Sequence, residues 1–158
     1  MIFFGSKISS KQRDIVLYGM GIYQLGNKAL TQIGYIFSDN YIMASNLPLH
    51  LCGLSGILAG IVVFYRKQIL FEFLYFFGLV GFIHSVLTPE FTGGVSSWKI
   101  FDYYVGHSML IIIPVWLMKY YEFRLRHNAW WTSFIYLQLI VVLVSQANSI
   151  IGNGANYM

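Results

Sequence analysis

Three histidines, one cysteine and one lysine are the side chains with which this 158-residue chain could do chemistry. His50, His84 and His107 lie in or beside long apolar runs, and Cys52 follows His50 by two positions. A neutral imidazole carries one donor and one acceptor nitrogen, and one within hydrogen-bond reach can draw off a thiol proton. Without such a base, a cysteine in an apolar helix behaves as a small hydrophobe. His50 falls on a different helical face from Cys52, so the base would have to be His84 or His107. Lys28 recurs with Gln24 and Gln32 every four residues, which puts all three on one helical face. That stripe reads either as a polar path or as a seam that glues helices together. His127, beside Arg124 and Arg126, reads as solvated. Three histidines with Asp102 or Glu90 would be a sensible zinc set. Their spacing does not show the ring nitrogens converging, and neither a metal nor a cofactor is assigned.

The elements that must position these groups belong in a membrane. Apolar residues make up 57% of the chain, aromatics 18% and charged residues 10%, where a soluble domain carries about a quarter charged. The formal charge is +4, but the basic residues sit in short clusters between apolar runs and form no face for nucleic acid. A single cysteine rules out an internal disulfide. The amino-terminal apolar stretch 1–4 is too short for a cleavable signal peptide. One integral membrane domain spanning residues 1–158 is expected, with membrane lipids as its surroundings and with room for homo-oligomers.

Four apolar runs are long enough to span: Ile42–Tyr65, Leu70–Leu87, Phe101–Met118 and Ala129–Ile151. A fifth, Ile15–Phe37, carries the glutamine and lysine stripe and admits two placements. A mid-helix lysine costs about 3 kcal/mol on insertion scales, which favours a helix lying on the surface; charge counting favours a span. With five spans, one side holds Lys7, Lys11, Arg13, Arg66, Lys67, Lys119, Arg124 and Arg126, and the other holds Lys99. Cytoplasmic loops carry the lysine and arginine excess. The expectation is an all-α transmembrane bundle of about five helices, amino terminus inside and carboxyl terminus outside. Gly56 and Gly60 form a G-x-x-x-G step that allows close helix approach.

In that frame His50, His84 and His107 fall at one depth in the outer leaflet, with Gln146 and Asn148 of the last span in the same layer. Lipid tails satisfy neither nitrogen of an imidazole, and an unpartnered polar group there costs several kcal/mol. The three rings are therefore expected to face one polar pocket, joined by Gln146 or Asn148 and flanked by Asp102 and Glu90.

The run Leu47-Pro48-Leu49-His50-Leu51-Cys52, with His84 before Pro89, His107 before Pro114 and the terminal Asn156-Tyr157-Met158, resembles the YwaF-like bacterial integral membrane family. That family is distantly similar to the animal transmembrane protein 164 group. The resemblance implies a multi-pass protein of the bacterial plasma membrane and, from the animal group, cysteine-dependent acyl transfer between phospholipids. His107 matches the histidine proposed as base there. The animal cysteine aligns with Leu49, so either the nucleophile has moved to Cys52 or the bacterial branch does not perform this reaction. Relatives carry a further span at each end, which makes this chain a short member or a fragment. Two functions from different classes follow. One is lipid acyl chemistry, with Cys52, His107 and His84 as catalytic groups and His50 beside them. The other is transport or binding along the path of Gln24, Lys28 and Gln32. A purely structural role stands third.

Overall fold

The computed structural model describes residues 8–39, 41–89, 96–152 and 154–157, and the described residues form helices and connecting loops with no strand. Helix α1 spans Ser10–Ile36, α2 Met43–Asn46, α3 Leu51–Tyr65, α4 Gln68–Leu87, α5 Ser97–Tyr120 and α6 Ala129–Ile151. Of these, α4, α5 and α6 are long and apolar enough to cross a membrane. Helix α1 begins at a capping box, in which Ser9 and Gln12 exchange side-chain and backbone hydrogen bonds that satisfy two orphan amides of the first turn.

The expected second span, Ile42–Tyr65, is not one helix. It divides into the single turn α2, a non-helical stretch 47–50 that turns at Pro48 and Leu49, and α3. Pro48 is the physical reason: it disfavours helix at Leu47 and has no amide hydrogen for the ladder. Leu47 is accordingly extended at ψ 144°, and so is His50, the N-cap of α3, at ψ 148°. The 15 residues of α3 reach roughly 22 Å at about 1.5 Å per residue, short of a hydrocarbon core of about 30 Å.

Helix α1 lies lengthwise and antiparallel along α3. Gly21 meets Val63, Leu25 meets Gly60 and Lys28 meets Gly56, in that order along the pair. A Cβ at Gly60 would stand 2.4 Å from Leu25 Cγ, so the G-x-x-x-G step serves the close approach of α1. Helix α4 packs on α5 with equal intimacy, since a Cβ at Gly78 would stand 2.7 Å from the Leu110 carbonyl oxygen. The core formed at these junctions holds Leu17, Val62, Val63, Phe71, Leu74, Leu110, Ile113 and Leu117. Helix α6 packs chiefly on α4 and turns most of its apolar surface outward.

Charged groups tie the helix ends together at one end of this bundle. Asp14 accepts from Arg66 at 3.1 Å and from the Tyr121 hydroxyl, while the Arg66 guanidinium lies 4.4 Å from the Tyr121 ring centroid. The hydrogen bond from Tyr121 is the first cause, and Arg66 a further one, that lowers the Asp14 carboxyl below its usual 3.8. Glu72, wholly buried, accepts from the Arg126 amide, from its guanidinium at 2.7 Å and from Gln68 at 2.7 Å.

Candidate functional site

The glutamine and lysine stripe faces the bundle. Gln24 donates to the Gly106 carbonyl at 2.7 Å and Gln32 to the Asn46 carbonyl at 2.9 Å. Tyr23 and Asn27, one turn apart beside the stripe, both donate to Asp102 of α5, at 2.6 Å and 2.9 Å. Asp102 therefore anchors α1 to α5. Glu90, its expected companion, lies outside the described residues.

Cys52 points from the first turn of α3 toward α4. A Cβ at Gly81 would stand 3.6 Å from its Sγ and 3.5 Å from Leu110 Cδ1. His84 is one turn along α4 from Gly81, and His107 one turn along α5 from Leu110, so the thiol sits beside the two turns that bear these histidines. Lys28 acts electrostatically on both Cys52 and His107, and His84 acts on His107.

The three rings have different immediate partners. His107 is half-buried, with Nδ1 2.8 Å from the Tyr103 carbonyl oxygen. A carbonyl can only accept, so Nδ1 carries the hydrogen and Nε2 is left with the lone pair a general base needs. His84 is exposed, its ring nitrogens 3.3 and 3.4 Å from the Thr88 hydroxyl. His50 is exposed and its ring stands edge-on to Tyr157, centroids 4.8 Å apart. Of the last-span residues, Gln146 is exposed, and Asn148 gives both ends of its amide to the Tyr157 backbone. The structure thus groups Cys52, Lys28, His84 and His107, and groups His50 with Asn148 and Tyr157.

Sequence reasoning missed three features. Tyr157 is buried and bridges the break between α2 and α3, donating to the Met43 carbonyl at 2.6 Å and accepting from the Leu47 amide at 3.0 Å. Glu72 was a legible signal, as an ionisable group within an apolar run. The third is an apolar groove of about 520 Å³ between α3, α4 and α6, lined among others by Leu49, Leu54, Ile61, Phe73, Ile140 and Ala147. No sequence period marks it, because it is bounded by three helices. Leu49 and Ala147 put one end of it beside His50 and Asn148.

The TMEM164 family model matches residues 1–158. The chain belongs to the TMEM164 family. The family and the three long apolar helices together place this chain among membrane proteins. No curated protein and no solved structure matches it.

Proposed function

We propose that this TMEM164 family member acts on the acyl esters of membrane lipids through Cys52 and His107. The observation that carries the reading is the packing of Cys52 against Gly81, beside the turns that bear His84 and His107. The lone pair on His107 Nε2 supports it, as does the acyl transfer implied by the likeness to the animal group. The Cys52 thiol gives its proton to Nε2 while the sulfur attacks the ester carbonyl carbon. Collapse of the adduct breaks the ester C–O bond, and the departing alkoxide takes that proton from His107. The acyl group is left as a thioester on Cys52. A lipid hydroxyl or water then attacks the thioester, with its proton passing through His107 to the sulfur, which restores the thiol. The groove between α3, α4 and α6 is within the range of about 300–1,000 Å³ common to ligand sites, and its apolar lining suits an acyl chain.

In this reading α1 and the α2–α3 unit cross the bilayer with α4, α5 and α6. The end that bears Arg66, Arg124 and Arg126 is then cytoplasmic, and the Cys52 site opens toward the outer leaflet of a bacterial plasma membrane. A thiol-reactive lipid analogue should label Cys52 in membranes, and His107→Ala should reduce that labelling. Equal labelling of the two proteins removes the activated thiol from the reading.

A second reading is transport along the α1 stripe, favoured by the buried and unpartnered oxygens Gln24 Oε1 and Ser55 Oγ. The Gln24 and Gln32 amides, however, donate to helix and loop carbonyls, which suits a seam better than a path. Lys28→Cys in a Cys52→Ser background separates the two: rapid reaction with an impermeant, water-soluble thiol reagent supports the path, and protection supports the seam.

A further inference from the structure

Lys28 is a half-buried ammonium outside the ion pairs found among the described residues, which are Arg66–Asp14 and Arg126–Glu72. A cation within a helical bundle in lipid requires a compensating partner. Asp102, the carboxylate within electrostatic range, is already engaged by Tyr23 and Asn27. The other group in range that can become an anion is the Cys52 thiol. The packing supports this pairing from a separate direction. A Cβ at Gly56 would stand 2.7 Å from Lys28 Cε and 3.5 Å from Nζ, and Gly56 lies one turn after Cys52 on α3. The surroundings also call for a polar ligand. Gln24 Oε1, one turn before Lys28, and Ser55 Oγ, one turn after Cys52, are fully buried and lack hydrogen-bond partners. Buried oxygens of that kind mark a place for water or a bound polar group.

We propose that Lys28 is a positioning residue for Cys52, its ammonium stabilising the Cys52 thiolate across the interface of α1 and α3. The proposal rests on the reading of Cys52 as nucleophile. The thiol's S–H bond breaks, its electron pair stays on sulfur opposite Lys28, and the proton goes to His107 Nε2. The titratable groups linked to the pair of Lys28 and Cys52 are Asp102, through Lys28, and His107 and His84, since Lys28 acts on His107 and His84 does too. With His84 neutral, the positive Lys28 and His107 balance the negative Cys52 and Asp102, so the activated site has no net charge. A bundle in lipid tolerates that far better than an isolated thiolate.

The test is the rate of Cys52 alkylation by N-ethylmaleimide in membranes holding the full chain, followed from neutral to alkaline pH. The wild-type rate should level off below the value of about 8.5 at which an ordinary thiol titrates. Lys28→Met should move the profile upward and slow alkylation at neutral pH about tenfold, the equivalent of one pKa unit. Lys28→Arg should keep the wild-type profile. Gly56→Ala displaces only the flexible end of Lys28 and keeps its charge, so it serves where Lys28→Met fails to fold, and it should shift the profile in the same direction. A wild-type profile that neither Lys28→Met nor Gly56→Ala alters overturns the Lys28 proposal and leaves the nucleophile reading standing. An ordinary thiol profile in the wild type overturns both.

Discussion

Asn148 holds Tyr157 by both of its backbone groups: the Asn148 amide donates to the Tyr157 carbonyl at 3.0 Å, and the Tyr157 amide donates to Asn148 Oδ1 at 3.1 Å. This clamp sets the buried phenol across the interruption at Pro48, where it satisfies the Met43 carbonyl and the Leu47 amide. The interruption thereby keeps its backbone groups paired where regular helix is lost. Tyr157→Phe keeps the ring beside His50 and removes both hydrogen bonds. Each buried group left unpaired costs ~1–3 kcal/mol, so thermal unfolding in detergent should begin at a clearly lower temperature. Unchanged unfolding would mean that the phenol does not support the break.

The junction that carries His107 depends on Gly78. A methyl group there would lie 2.7 Å from the Leu110 carbonyl oxygen, a backbone atom that moves only if the helix moves. Gly78→Ala should cost ~1–3 kcal/mol as an overpacked contact, and should reduce Cys52 labelling by displacing the turn of His107. Gly106→Ala is the control. Its Cβ would meet nothing within 4 Å, and alanine is about 0.8–1 kcal/mol the better helix former. Stability should hold or rise there. Equal losses at Gly78 and Gly106 would refute a specific close approach of α4 and α5.

At the opposite end, Tyr121 gives the bundle an alkaline limit. Burial, and then its hydrogen bond to Asp14, push the Tyr121 hydroxyl from 10.0 up to about 12. A raised folded value means that the unfolded chain loses this proton first. The contribution is complete below 10.0 and is lost as pH rises toward about 12. Denaturant or thermal unfolding followed through that window should show falling stability in the wild type, and a shallower fall in Tyr121→Phe. The same slope in both proteins would place the alkaline sensitivity elsewhere. Asp14 behaves oppositely: its lowered carboxyl contributes above 3.8 and loses that contribution only in stronger acid.

The long helices were legible because apolar length alone marks a span. The run Ala129–Ile151 ends where α6 ends, and Leu70–Leu87 shares its last residue with α4. The stripe of Gln24, Lys28 and Gln32 was legible as one face, since a period of four survives folding. A seam was one of its two readings; its acceptors, the carbonyls of Gly106 and Asn46, were hidden because they are far away in sequence. Pro48 within an apolar run was the sign that Ile42–Tyr65 would break, and the length of that run hid it. The common depth of the histidines was inferred along straight helices, a frame that an extended His50 does not follow. Cys52 was legible as a side chain with possible chemistry. That it stands over Gly81 depends on packing between helices that no local pattern encodes.

Acylation of Cys52 is tested most directly by intact-protein mass spectrometry. Purified chain in detergent–lipid micelles would be incubated with a phospholipid bearing an alkyne-tagged acyl chain, then analysed with and without neutral hydroxylamine, which cleaves thioesters. The wild type should gain the mass of one acyl group, located to Cys52 and removed by hydroxylamine. Cys52→Ser should show no such hydroxylamine-labile adduct, and His107→Ala should show at least tenfold less, a modest loss for a general base. Contradiction would come from a wild type that gains no acyl mass while its fold is intact, or from an equally abundant hydroxylamine-labile adduct on Cys52→Ser.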